Sequence, residues 1–156
     1  MAWSLPLLSM LFCFNLKFMV MTEKFTLSNG KEVKVSVHRN GTSSVMLNGK
    51  HYKYKVIVEV NNITKYFNFH DSIANYTKGA YPIVGECLGC VLMDAFDYYE
   101  NSNPQNFANE FGYEIGTREF VRAYNGCEKA YYKMLSMFSF DEMYELYNFL
   151  AEKGYI

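Results

Sequence analysis

The hydrophobic period changes once along this chain, near Pro82, and that change constrains the fold more than any motif. Before it, apolar residues recur at every second position, as in half-buried strands; after it they recur about every 3.6, as on one face of a helix. In KEVKVSVH, Val33, Val35 and Val37 alternate with Glu32, Lys34, Ser36 and His38. HYKYKVIVEV sets Tyr52, Tyr54, Val56, Val58 and Val60 on one face and His51, Lys53, Lys55, Ile57 and Glu59 on the other. ITKYFNFH places Ile63, Lys65, Phe67 and Phe69 against Thr64, Tyr66, Asn68 and His70. The pairs Asn29-Gly30, Asn40-Gly41, Asn48-Gly49 and Asn61-Asn62 separate these runs, and each tolerates the positive φ of a tight hairpin.

Beyond Pro82, Val84, Cys87, Leu88, Val91, Leu92, Ala95 and Tyr99 form one helical stripe, with Glu86, Asp94, Asp97 and Glu100 on the other side. Ser102 and Asn103 before Pro104 open a second helix and Gly112 closes it. A third starts near Thr117, with a seam of Phe120, Tyr124, Cys127, Tyr131, Met134 and Phe138. Ser139 followed by Glu142 is a capping box for a fourth, whose face is Phe140, Met143, Tyr144, Tyr147 and Leu150 and whose end is Lys153-Gly154. Strands followed by helices, without alternation, predict an α+β fold: an antiparallel meander of three to five strands packed against three to four C-terminal helices.

A chain of 156 residues, half of them apolar, suits one domain with a real core, expected over residues 22–156. Residues 1–20 read as an over-extended start or a hydrophobic leader outside the domain. No basic residue precedes their apolar run, no small-residue cleavage pattern follows it, and Pro6, Asn15 and Lys17 interrupt it. Met19 and Met21 offer later starts. A working leader would instead make the protein secreted or membrane-anchored, which the sequons at Asn40, Asn62 and Asn75 would suit. Of the four cysteines, Cys13 lies in that leader; Cys87, Cys90 and Cys127 are too few for a disulfide framework, and a reduced, intracellular protein is expected.

Charge divides the chain. Residues 22–78 carry nine Lys and Arg against four Asp and Glu, and residues 79–156 carry five against twelve. Two surfaces of opposite potential follow, which bear on partners rather than on fold. The basic one is a candidate sheet face of Lys34, His38, His51, Lys53, Lys55, Tyr66 and His70, suited to an anion or a nucleic-acid backbone, with Tyr66 able to stack a base. The acidic one is a candidate helical face of Asp97, Glu100, Glu110, Glu114 and Glu119.

Sharper chemistry is not legible. Cys87 and Cys90 are spaced C-x-x-C, but no second pair accompanies them as structural zinc requires, and they fall within a helical stripe, where buried cysteine is ordinary packing. Asp94 and Asp97 are one turn apart with no basic residue at fixed spacing, which reads as a solvated face. The chain has no glycine-rich phosphate loop, nucleophile elbow or H-E-x-x-H. A non-enzymatic protein without metal or cofactor is expected, a metalloenzyme built on the three histidines being the contrary reading.

Several segments carry a resemblance: Phe69 to Ile73, Asp94-Ala95, Phe107 to Tyr113, which reads F-x-x-x-F-G-Y, and Tyr124 to Lys129 in the pattern Y-x-x-C-x-K. Over roughly residues 50–150 the chain resembles a diffuse group of small uncharacterised proteins of bacteriophages, prophages and bacterial mobile elements. That resemblance implies cytoplasmic expression in a bacterial host and an accessory role in which the protein occupies a host protein or protein–nucleic-acid complex. Counter-defence, such as inhibition of a CRISPR effector, is the most specific form. It implies no metal quartet. A nucleic-acid-binding protein using the basic sheet face is the alternative.

Overall fold

A computed structural model describes residues 20–42, 52–71 and 83–156. Four strands follow one another, β1 (Val20–Thr26), β2 (Glu32–Thr42), β3 (Tyr52–Val60) and β4 (Ile63–Asp71). They pair in sequence order, each antiparallel to the next. The register aligns the alternation seen in the sequence: Phe25 opposes Val33, Val35 opposes Val58, and Val37, Val56 and Phe67 lie in one cross-strand row. All of these are buried, so one face of the sheet carries the core.

The connections follow turn chemistry. Gly30 takes φ 89° in the β1–β2 turn, and Asn61 and Asn62 take φ 49° and 68° between β3 and β4, a conformation asparagine tolerates better than most residues. Asn40-Gly41 departs from the expected hairpin. It lies inside β2, where pairing moves from Arg39 opposite Tyr54 to Thr42 opposite Tyr52. One extra residue on β2 is thereby absorbed as a bulge, a place where the same permissive backbone is useful. Asn48-Gly49 and residues 1–19 lie outside the described residues, and Val20 opens β1.

Four helices complete the layer: α1 (Val84–Glu100), α2 (Pro104–Phe111), α3 (Arg118–Leu135) and α4 (Phe140–Glu152). Their ends are where the capping residues put them. The Asn103 side chain accepts from the N–H groups of Gln105 and Asn106, with Pro104 at the first helical position, and Gly112 closes α2 at φ 75°. Thr117 accepts from the Phe120 N–H, and Ser139 and Glu142 form the reciprocal capping box.

The main core joins the inner sheet face to Val84, Leu88, Leu92, Ala95 and Phe96 of α1, Met134 of α3, and Met143, Leu146 and Leu150 of α4. Two aromatic assignments change. Tyr99 and Tyr144 are largely exposed, and Phe96 and Leu146 hold the buried positions instead. A tyrosine at a stripe's margin keeps its hydroxyl in water and yields the interior to a neighbour without a polar atom. Gly85 and Gly89 make a flat strip on α1 against which the C-terminal Tyr155 and Ile156 lie; a Cβ at 85 would collide with the Tyr155 ring. Phe107, Ala108, Phe120 and Cys127 form a second, smaller cluster where α2 meets the first half of α3.

Candidate functional site: an acidic helical end

Asp94 and Asp97 are half-buried rather than fully solvated. α1 is covered from two sides, and Cys87, Val91, Asp94 and Tyr98, spaced by four and three, fall on one line along it. Tyr98 packs against Tyr124 and Tyr131 of α3, which fixes that line as the α3-facing one. Both carboxylates are half-buried, and they lie with the Cys127 thiol in a group whose ligand atoms are all within 4.8 Å of one another. They border a cleft of 540 Å³ lined by Asn68, Phe107, Phe111, Tyr113, Arg122 and Gly126, among others.

The electrostatics of this group follow from what surrounds it. Burial, and then the charge of Asp97, pushes Asp94 up from 3.8 to about 6. Asp97 is also raised to about 6, first by burial and then by the charges of Glu100 and Glu110. Among the described residues, none of Asp94, Asp97, Glu100 and Glu110 forms an ion pair. Burial, and then the two aspartates, pushes the Cys127 thiol up to about 12, so it stays protonated at neutral pH and is a poor nucleophile.

Of the acidic residues expected to share a face, Asp97, Glu100 and Glu110 are close enough to act on one another. Glu119 instead lines a separate cleft of 340 Å³ with Arg118, Arg122 and Tyr113. Glu114 is exposed in the turn before α3, where its carbonyl accepts from the Thr117 N–H and hydroxyl. Exposed Phe111 and Tyr113 line the cleft beside the two aspartates.

On the sheet, the register pairs Lys53 with His70 and puts Lys34 between Lys24 and Glu59, His38 opposite Lys55, and Tyr66 opposite Ile57, these last on the face turned away from the core. His51 lies outside the described residues. Two of these lysines are engaged: Lys34 is 3.5 Å from Glu59, and the Lys55 ammonium sits 4.8 Å from the centre of the Tyr66 ring. The cysteines form no metal set with one another. Cys87 belongs to the main core, Cys127 to the second cluster, and Cys90 is exposed.

No helix among the described residues is long and apolar enough to cross a membrane. Comparison with family models, curated proteins and solved structures gave no match.

Proposed function

We propose that this protein is a small non-catalytic accessory protein that acts by occupying a basic surface on a host macromolecule, and that its acidic helical end is the surface that does so. One observation carries the reading: Glu100 and Glu110 both crowd the half-buried Asp97, and none of the three forms an ion pair among the described residues. Like charges held together are a cost to the folded chain, and Lys or Arg side chains of a partner would relieve it on binding. Phe111 and Tyr113, which line the cleft with Asp97, supply the exposed aromatic area that anchors interfaces. The protonated thiol of Cys127 accords with a binding role rather than nucleophilic chemistry.

The resemblance to phage and mobile-element proteins supplies the setting, a bacterial cytoplasm, and makes a nucleic-acid-handling defence effector the kind of target whose basic surface the acidic end would block. Capture from host lysate by the full chain, compared with a variant carrying Asp97→Asn, Glu100→Gln and Glu110→Gln, tests this. A partner retained by the parent and released at least tenfold more readily by the variant is expected. A partner held equally by both overturns the reading.

A second reading rests on the register that gathers Lys24, Lys34, His38 and Lys55 on one uncovered sheet face: direct binding of nucleic acid. Gel-shift titration with single- and double-stranded DNA and RNA separates the two. Direct binding shows a shift at low salt that weakens steeply as salt rises. No shift at low salt removes this reading and leaves the first intact.

A further inference from the structure

A second cleft, sharing no residue with the acidic end, runs between the end of β1 and α4. It has a volume of 670 Å³, within the range of functional pockets. Its apolar floor includes Phe25, Leu27 and Phe149, with Phe25 and Phe149 in edge-to-face contact. Its wall carries Asp141, Glu145 and Glu152, and no Lys or Arg lines it among the described residues.

Folding explains only part of that wall: Asp141 lies in the first turn of α4, where the helix dipole favours an acid, and Glu145 accepts a backbone bond, whereas Glu152 has neither support. Asp141, Glu145 and Glu152 are four and then seven residues apart, which aligns all three carboxylates along one face of α4. Glu152 is also the last residue of the helix, where the negative end of the helix dipole disfavours an acid. Glu145 accepts from the Ser28 N–H and so ties the wall to the β1–β2 turn; Asp141 and Glu152 form no ion pair among the described residues.

We propose that this cleft is a docking site for an extended, lysine- or arginine-bearing segment of a partner protein. Charge complementarity selects a basic occupant, and the dimensions select an extended one. From Asp141 to Glu152 the helix rises about 16 Å, the length of about five residues of extended chain. Alternate side chains of such a chain are about 7 Å apart, close to the rise of about 6 Å between Asp141 and Glu145. Basic side chains at the first and third positions therefore match Asp141 and Glu145, and the length of a Lys or Arg side chain at the fifth spans the few further ångströms to Glu152, about 10 Å of helix rise beyond Glu145, while the apolar residues between them meet Phe25, Leu27 and Phe149.

The test uses the full chain and a five-residue peptide with Lys at its first, third and fifth positions and Val between, blocked at both ends. Two-dimensional amide NMR titration is expected to show saturable shifts confined to residues 25–28 and to α4. The double variant Asp141→Asn with Glu152→Gln is expected to weaken binding at least tenfold while keeping the parent's unfolding midpoint. A peptide with Glu in place of Lys is expected not to bind. No saturable shift up to millimolar peptide, equal binding by the double variant, or shifts centred on α1 and α2 would each overturn the proposal. The last result would still leave the acidic end as a working surface, so the two readings fail separately.

Discussion

Glu142 and the pair Asp94 and Asp97 are all half-buried helical carboxylates, yet the fold treats them in opposite ways. At Glu142, burial pushes the carboxyl up but is outweighed by bonds from Lys31, the Ser139 N–H and Asn29 and by the Lys31 charge, which leave it at about 2. Lys31 lies 2.8 Å away and also donates to the Met137 carbonyl, so this corner ties the β1–β2 turn to the start of α4. At Asp94 and Asp97, burial and neighbouring acids act in the same direction, and nothing described offsets them. A carboxylate supplied with donors builds the fold, whereas one crowded by its own kind is a cost to it.

That contrast can be broken most forcefully at Glu142. Glu142→Ala removes the Lys31 ion pair, the Asn29 bond and half of the capping box together, and is expected to cost about 2–4 kcal/mol in urea unfolding. Asp94→Asn should move the other way. A shift of about two units corresponds to roughly 3 kcal/mol in full, and partial solvent screening reduces the expected gain at pH 7.5 to about 1–2 kcal/mol. If Asp94→Asn destabilises as Glu142→Ala does, the contrast is wrong.

The pH dependence sharpens it further. Folding raises the two aspartates from 3.8 to about 6, so between those values the folded state binds more protons than the unfolded one. Their penalty is full above about pH 6, shrinks as pH falls through 6, and is gone below 3.8. Glu142 is lowered from 4.5 to about 2, so its contribution is present above 4.5 and is lost as pH falls through 2. Thermal unfolding of the parent is therefore expected to peak near pH 4, where the gain at the two aspartates and the loss at Glu142 balance, with a midpoint a few degrees above that at pH 7.5. Asp94→Asn with Asp97→Asn should flatten the fall on the neutral side only. The smallest effect belongs to the sheet. Lys34→Ala, at a pair whose side chains are 48% and 43% exposed, should change unfolding free energy by less than about 0.5 kcal/mol.

Much of this architecture was written locally. The alternation of Val33, Val35 and Val37, the Asn103-Pro104 start, and the Ser139 and Glu142 box each act within a few residues, so the chain alone reveals them. The face bearing Lys34, His38 and Lys55 was legible for the same reason, since side-chain parity along a strand decides it. Asp94 and Asp97 were not legible. A helix packed on one side buries one stripe, and by that rule both belonged to solvent; α1 buries a second line because α3 crosses it, a fact of tertiary arrangement. The Asn40-Gly41 bulge is similar: the dipeptide specifies a permissive backbone, and only the pairing with β3 decides between a turn and a bulge.

Everything proposed for the acidic end depends on Asp94 and Asp97 lacking a compensating cation. Carboxyl-carbon NMR titration of the full chain reads this directly, residue by residue. The account predicts midpoints of about 6 for both Asp94 and Asp97, with Glu142 at about 2 in the same experiment. Midpoints near 4 for the two aspartates would contradict it.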